Sequence, residues 1–299
     1  MRKFLHIALL LSIALSAHGQ KRPYVAPAEE DVRANIAQWQ DLKFGMFIHW
    51  GTYSQLGVIE SWTICPELTE WEYKGRPEGM TYMEYLRFYE HLKDTFNPIH
   101  FDPDKWAEAA EYAGMKYVVF TTKHHDGFNM FDTNLTDYKV TDEGCPFHSN
   151  PRSNIAKEVF NSFRAKGLKA GAYFSIADWH NNDYWWKFFS PKDRYINYDP
   201  ARWPEKMTSF EDYVESQVRE LTNGDYGKID LMWLDLCEIS ETYEIHFPWG
   251  RIAAAAREGQ PGMITVARGT HSAYENYLTS ELKIPTEVWN CPWEACMPM

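Results

Sequence analysis

Two hydrophobic periods take turns along the chain. Residues 43–49 (KFGMFIH), 116–122 (KYVVFTT), 168–175 (LKAGAYFS), 229–235 (IDLMWLD) and 263–266 are short, mostly apolar runs with β-branched and aromatic residues, which reads as strand. Between them lie segments of helical period. A short helix is expected over 31–39. In 103–115, Trp106, Ala109, Ala110 and Ala113 share one face and Asp102 is placed to cap. Residues 154–165 are amphipathic and stopped by Gly167. In 209–221, Ser209 is the expected cap and Val214, Val218 and Leu221 form the apolar face; a further helix is expected over 249–257. Apolar strands alternating with helices predict a parallel sheet covered on both faces. At 299 residues the expected fold is α/β, a (β/α)8-like TIM barrel. No Gly-rich loop follows the first strand, which disfavours a dinucleotide fold.

The organisation expected is a secretory signal peptide over 1–19, an N-terminal extension over 20–38 and a catalytic barrel over 39–299. Arg2 and Lys3 precede an apolar run to Leu15, followed by Ala17-His18-Gly19 as a small-x-small cleavage site. That run is too short to span a bilayer, and no later stretch is apolar enough to do so. A secreted or periplasmic location follows.

The net charge of −12 argues against a nucleic-acid partner and against anionic lipid surfaces. The 13 Trp, 18 Tyr and 17 Phe fit either an aromatic-rich core or a sugar cleft, because flat rings pack against the C–H faces of pyranoses. The five cysteines are odd in number and lack Cys-x-x-Cys spacing, so neither a zinc site nor a dense disulfide framework is expected.

Chemistry gathers where the strands end. The first runs into His49-Trp50-Gly51, the second into Lys123-His124-His125-Asp126-Gly127-Phe128, the third into Tyr173, Ser175, Asp178 and Trp179. The fourth ends in Trp233-Leu234-Asp235 and the last runs into Arg268. In a barrel these ends surround one mouth. Neighbouring strand residues face opposite ways, so His124 and His125 would share a metal only on a bent backbone, and no metal is expected. Trp50, Trp62 and Trp233 individually read as core and jointly as a sugar wall. Asp235 closes an apolar run and is costly to bury unpaired, which makes it either a rim ion pair or a catalytic carboxylate. Glycoside hydrolysis needs a second carboxyl; Glu275, Glu281, Glu287 and Glu294 are candidates among which spacing does not choose.

From about Trp39 onward the chain resembles the retaining α-L-fucosidases of glycoside hydrolase family twenty-nine. The resemblance is carried by Phe44-Gly45-Met46-Phe47-Ile48-His49-Trp50-Gly51, by Thr122-Lys123-His124-His125-Asp126-Gly127-Phe128, by Tyr173-Phe174-Ser175 with Asp178-Trp179, and by Trp233-Leu234-Asp235. It implies a covalent fucosyl-enzyme intermediate, no cofactor and no metal. The nucleophile falls on Asp235. The acid/base falls on Glu281, since Thr279-Ser280-Glu281 matches a Thr-x-Glu that follows an Arg, here Arg268. Fucose would be held by His49, Trp50, Trp62, His124, His125, Tyr173, Trp233 and Arg268, with Trp62 matching through Glu60-Ser61-Trp62, where a Ser is inserted. The implied partner is a fucosylated oligosaccharide or glycoconjugate, and the carboxylates should stand roughly 5–6 Å apart, the retaining separation. Residues 276–285 and 289–299 resemble the branch that prefers α-1,3 and α-1,4 linkages.

The chain departs from that pattern in two places. Leu236-Cys237-Glu238 follows the nucleophile position where the family often has Gly, and the chain stops at Met299 where family members continue, so a barrel incomplete at its C-terminus is expected. Two rival readings are an inactive or truncated fucose-binding remnant and a metal-dependent barrel hydrolase.

Overall fold

A computed structural model of the chain describes residues 24–65, 76–185, 198–199, 201–235 and 247–298. The expected signal segment and Leu236-Cys237-Glu238 lie outside the described residues. Helix α1 (Glu30–Leu42) leads into strand β1 (Met46–Ile48). Helices α2 (Tyr82–Glu90) and α3 (Pro103–Tyr112) precede β2 (Tyr117–Lys123). Then α4 (Ile155–Ala165), β3 (Lys169–Ser175), α5 (Pro204–Thr222), β4 (Leu231–Asp235), α6 (Trp249–Gly259) and β5 (Ile264–Ala267) alternate. Two short strands follow, β6 (Leu278–Glu281) and β7 (Trp293–Cys296).

Strands β1 to β5 form one parallel sheet in sequence order, and β6 pairs with β7 in a second parallel sheet. The fold class is therefore α/β with parallel strands, as the alternation predicts. Among the described residues the strands form a five-stranded sheet and a separate pair.

The two faces of the sheet bury different sets. Val118, Phe120, Ala172, Phe174, Met232 and Leu234 face the helices and join Phe160 of α4 and Val214 of α5 in the larger core. Val119, Tyr173, Leu231, Trp233, Ile264 and Val266 face the other way and meet Val32, Ile36 and Trp39 of α1. Trp39 stacks on Tyr277 with ring centroids 4.0 Å apart. Helix α1 thus covers this face of the sheet. Gly45 is needed where it stands, because a Cβ there would lie 2.4 Å from the Tyr117 ring.

Several boundaries shift. β1 is shorter than the apolar run 43–49, and α5 begins at Pro204 instead of near Ser209, with proline in the first turn where its missing N–H costs nothing. Helix α2 was not expected. It is signed by a capping box in which Thr81 and Glu84 satisfy each other's backbone N–H, followed by buried Tyr85, Leu86 and Tyr89. Of the five cysteines, Cys145, Cys291 and Cys296 are free thiols, Cys65 is buried, and Cys237 lies outside the described residues.

Candidate active site

Strand register brings the polar residues together. Ser175 of β3 sits beside Asp235 of β4, and Tyr173 beside both Thr121 and Trp233. Asp235 is 6% exposed. Its Oδ2 accepts a hydrogen bond from the Tyr173 hydroxyl at 2.7 Å, and its Oδ1 accepts from Arg268 Nη1 at 3.1 Å. Burial alone would raise the Asp235 pKa, but His125, Arg268 and the Tyr173 hydroxyl together hold it below the ordinary carboxylate value. The group is an ionised carboxylate in a dry setting. Arg268 Nη2 also pairs with Glu281 Oε2, so one guanidinium carries both carboxylates on its two terminal nitrogens. Trp233 stacks on Tyr173 with centroids 5.4 Å apart, and the Arg268 guanidinium lies 5.5 Å above the Trp233 ring.

His124 and His125 both reach this site because β2 bulges and then ends at Lys123, so that both lie in the turn that follows. Thr121 pairs with Tyr173, but Lys123 pairs with Phe174, so one residue is extra between them. A bulge of this kind flips the alternation. Lys123 turns to the helix side, fully buried, with Nζ donating to Asp178 Oδ2 at 3.1 Å and Gln217 Oε1 at 3.2 Å. The two imidazoles that follow stand with centroids 4.1 Å apart. Gly127 closes the turn at φ +77°, and a Cβ there would lie 2.3 Å from Asp178 Oδ1, so the conformation and the space both require glycine. Asp126 is turned inward, accepting from the Tyr89 hydroxyl at 2.7 Å and from the Phe128 N–H at 3.1 Å.

Hydrogen-bond directions assign the imidazoles. The Thr121 hydroxyl donates to the Ile48 carbonyl at 2.9 Å, so towards His49 Nδ1, at 2.8 Å, it can only accept. Likewise Ser175 donates to the Ala177 carbonyl at 2.7 Å and accepts from His125 Nδ1 at 2.6 Å. Both rings therefore carry the proton on Nδ1 and present Nε2 as an acceptor. The packed surroundings drive both towards neutrality, the buried His125 well below the usual imidazole value and His49, which keeps an exposed surface, to about 4, with the neighbouring His124 adding to each. His125 Nε2 stands 3.8 Å from Asp235 Oδ2.

His124 is the opposite case. Burial works against its charge, but the Glu60 carboxylate 3.2 Å from its Nε2 outweighs that, and the pKa is raised. Its Nδ1 meets Ser61 Oγ at 2.5 Å. Glu60, which burial would push up, is held below the ordinary range by contact with His124. Glu60 has φ 50°, a left-handed conformation unusual for a residue with a side chain and a sign of local strain at a site. The inserted Ser61 thus has a structural use: it is a partner of His124. Trp62, the next residue but one after Glu60, packs edge-on to His125 at 5.1 Å.

Of the residues expected to hold sugar, His49, Trp62, His124, His125, Tyr173, Trp233 and Arg268 come together here, and Trp50 does not. Trp50 packs against Phe96, Phe101 and Trp106 in the helix-side core, because the residue after His49 leaves the strand on the opposite face. Sequence reasoning passed over Glu60 as a site residue, although its neighbour in Glu60-Ser61-Trp62 was singled out. His49, Glu60 and His124 also offer ligand atoms within 4.8 Å of one another, a set able to hold a cation at the expense of the Glu60–His124 ion pair. Among the four later glutamates, Glu275 is buried and accepts from the Gly269 and His271 N–H groups at 2.8 and 2.7 Å. Glu294 accepts from Trp233 Nε1 at 2.6 Å, and burial pushes its pKa up to about 7. Glu281 and Glu287 are exposed.

The alpha-L-fucosidase family description matches residues 11–299. The chain belongs to the alpha-L-fucosidase family. Among relatives, plasma alpha-L-fucosidase of Homo sapiens is 26% identical over 283 residues, covering 89% of this chain and 54% of the relative. Tissue alpha-L-fucosidase of Homo sapiens is 30% identical over 157 residues, covering 50% of this chain and 31% of the relative. The chain thus spans about half the length, or less, of these curated relatives. Among solved structures, it is similar to alpha-L-fucosidase isoenzyme 1 from Paenibacillus thiaminolyticus, with TM-score 0.66 and 31% identity over 89% of this chain and 61% of that one. It is also similar to alpha-L-fucosidase AlfC from Lactobacillus casei, solved in complex with alpha-L-fucose product, with TM-score 0.63 and 26% identity over 87% of this chain and 78% of that one. Among the described residues no helix is long and apolar enough to cross a membrane.

Proposed function

We propose that the chain is a retaining, exo-acting α-L-fucosidase that removes terminal fucose from glycans through a fucosyl-enzyme intermediate. The observation that carries this reading is a buried, ionised Asp235 sharing the Arg268 guanidinium with Glu281. Asp235 attacks the anomeric carbon and Glu281 protonates the departing oxygen; water activated by Glu281 then releases fucose with retained configuration. The Nε2 atoms of His49 and His125 accept hydrogen bonds from sugar hydroxyls. A sugar hydroxyl at this point can donate to either His125 Nε2 or Asp235 Oδ2, two acceptors that stand 3.8 Å apart. The charged Glu60–His124 pair offers both a donor and an acceptor to neighbouring hydroxyls, and Trp62, Tyr173 and Trp233 supply the apolar wall.

Closure of the strands into a barrel, the α-1,3 and α-1,4 preference suggested by residues 276–285 and 289–299, and export to the periplasm or cell exterior belong to the same proposal. An aryl α-L-fucoside tests its centre. Asp235→Ala should lower turnover by about four orders of magnitude, with azide restoring activity as a β-fucosyl azide. An Asp235→Ala chain as active as the parent would end the assignment. The cation-capable set at His49, Glu60 and His124 favours one second reading, a metal-dependent hydrolase; there, and not under the fucosidase reading, a chelator would abolish the same activity.

A further inference from the structure

His49, Glu60 and His124 come from three separate stretches of chain: the exit of β1, the segment just before Trp62 and the turn after β2. Each offers one ligand atom, and the three atoms lie within 4.8 Å of one another. His124 Nε2 and Glu60 Oε2 are already 3.2 Å apart. Ligands about 2.0–2.1 Å from a tetrahedral zinc ion stand about 3.3 Å from each other, so this pair has the right span. The His49 and His124 rings meet at 89° with centroids 5.4 Å apart. Two imidazoles on one such ion would have centroids about 5.2 Å apart. His49 has to close in only slightly, and it is the exposed member of the three.

The outer partners favour the same atoms. Thr121 accepts from His49 Nδ1 at 2.8 Å, and Ser61 Oγ lies 2.5 Å from His124 Nδ1. Both hydroxyls thus engage the Nδ1 edge and leave Nε2 for an ion, as outer partners of metal-binding imidazoles do. Charge acts in the same direction. Once an ion replaces the proton between His124 and Glu60, three carboxylates (Glu60, Asp235 and Glu281) share the site with the Arg268 guanidinium.

We propose that His49, Glu60 and His124 form an inhibitory site for a transition-metal dication of the Zn²⁺ class, bound in place of the sugar. Two nitrogens and one oxygen suit Zn²⁺ and its neighbours, whereas Mg²⁺ and Ca²⁺ prefer oxygen shells. The ion engages the lone pair of His49 Nε2 and parts His124 from Glu60. These are the groups that the fucosidase reading assigns to sugar hydroxyls, so the competition, though not the binding, rests on that reading. Asp235 and Glu281 are outside the set, and the ion excludes the sugar without serving either carboxylate.

Zn²⁺ titrated into the chelator-treated chain tests the site, with Mg²⁺ as the control. Calorimetry should show a Zn²⁺ site that Mg²⁺ does not fill. Its affinity should fall more than about 100-fold in His49→Gln and in Glu60→Gln, because loss of an outer partner alone costs about 10–100-fold. Ser61→Ala removes such an outer partner and should weaken binding by about 10–100-fold. An affinity unchanged in both ligand variants overturns the site. The parent chain gives a second decision: on an aryl α-L-fucoside, Zn²⁺ should raise KM, leave kcat unchanged, and be reversed by a chelator. Inhibition of kcat alone, or activity that the chelator abolishes, overturns the proposal. If the parent does not hydrolyse the fucoside, the hydrolase reading fails separately, and the Zn²⁺ titrations still decide the site.

Discussion

Asp235 shows how single residues set the chemistry. Its carboxylate keeps its charge in a buried position because a hydroxyl, a guanidinium and an imidazole surround it. Tyr173 is the member of that set that donates to Oδ2 without carrying charge, so its removal has a clear sign. Without the hydroxyl donating to Oδ2, the ionised form loses a partner and the Asp235 pKa rises. Tyr173→Phe should therefore move the acidic limb of the kcat/KM profile to higher pH, whereas an unmoved limb would mean the hydrogen bond does not bear on ionisation. The His, Tyr, Asp and Arg types were readable one by one from the chain. Their protonation was not: the tautomers of His49 and His125 follow from Thr121 and Ser175 hydroxyls whose protons go to the Ile48 and Ala177 carbonyls. Glu60 was missed for a related reason, since only a left-handed backbone turns it towards His124.

Elements determine which neighbours a residue can have. The five strands of the main sheet and the helices between them other than α2 follow from period and composition, while their ends do not. The decisive departures are the bulge after Thr121, which turns Lys123 to the helix side, and the end of β2 at Lys123, beyond which a turn from His124 to Gly127 lets two consecutive imidazoles enter one site. Strict alternation would have separated them. The turn that follows depends on Gly127. Gly127→Ala must adopt a left-handed conformation at a cost of about 1–2 kcal/mol and also displace Asp178, so its unfolding midpoint should drop and its KM for fucoside rise. A second element-level case is β7, unread in the sequence, whose Glu294 braces Trp233. Its pKa is raised from 4.5 to about 7, so the folded state favours the proton. That stabilisation is complete below pH 4.5 and is lost as pH climbs to about 7, where the carboxylate must be buried charged. Glu294→Gln does not titrate, so its melting temperature relative to the parent should rise across that window and then level off.

At the scale of the molecule, two cores meet at one sheet, and a buried polar link joins the parts that carry the site. Lys123 of β2, Asp178 after β3 and Gln217 of α5 form that link with no exposure at Lys123. Removing one charge leaves the other buried and unpaired. Lys123→Met should thus destabilise the fold by about 3–5 kcal/mol, measured by denaturant unfolding. A loss of under about 1 kcal/mol would show that water reaches Asp178.

Alone, the chain's order of apolar and polar residues determined an α/β fold with parallel strands, the strand ends as the place of chemistry, and a residue set resembling the fucosidases. These rest on local period and short motifs, which act within a few residues. Tertiary structure alone decided that Trp50 belongs to the core, that Glu281 and Asp235 share one guanidinium, that the pKa of His124 is pushed up while that of His125 is pushed down, and that Glu275 is the buried one of the later glutamates. Each of these depends on burial and on partners distant in sequence, and the energy of a charge or a proton is set by what surrounds it in space.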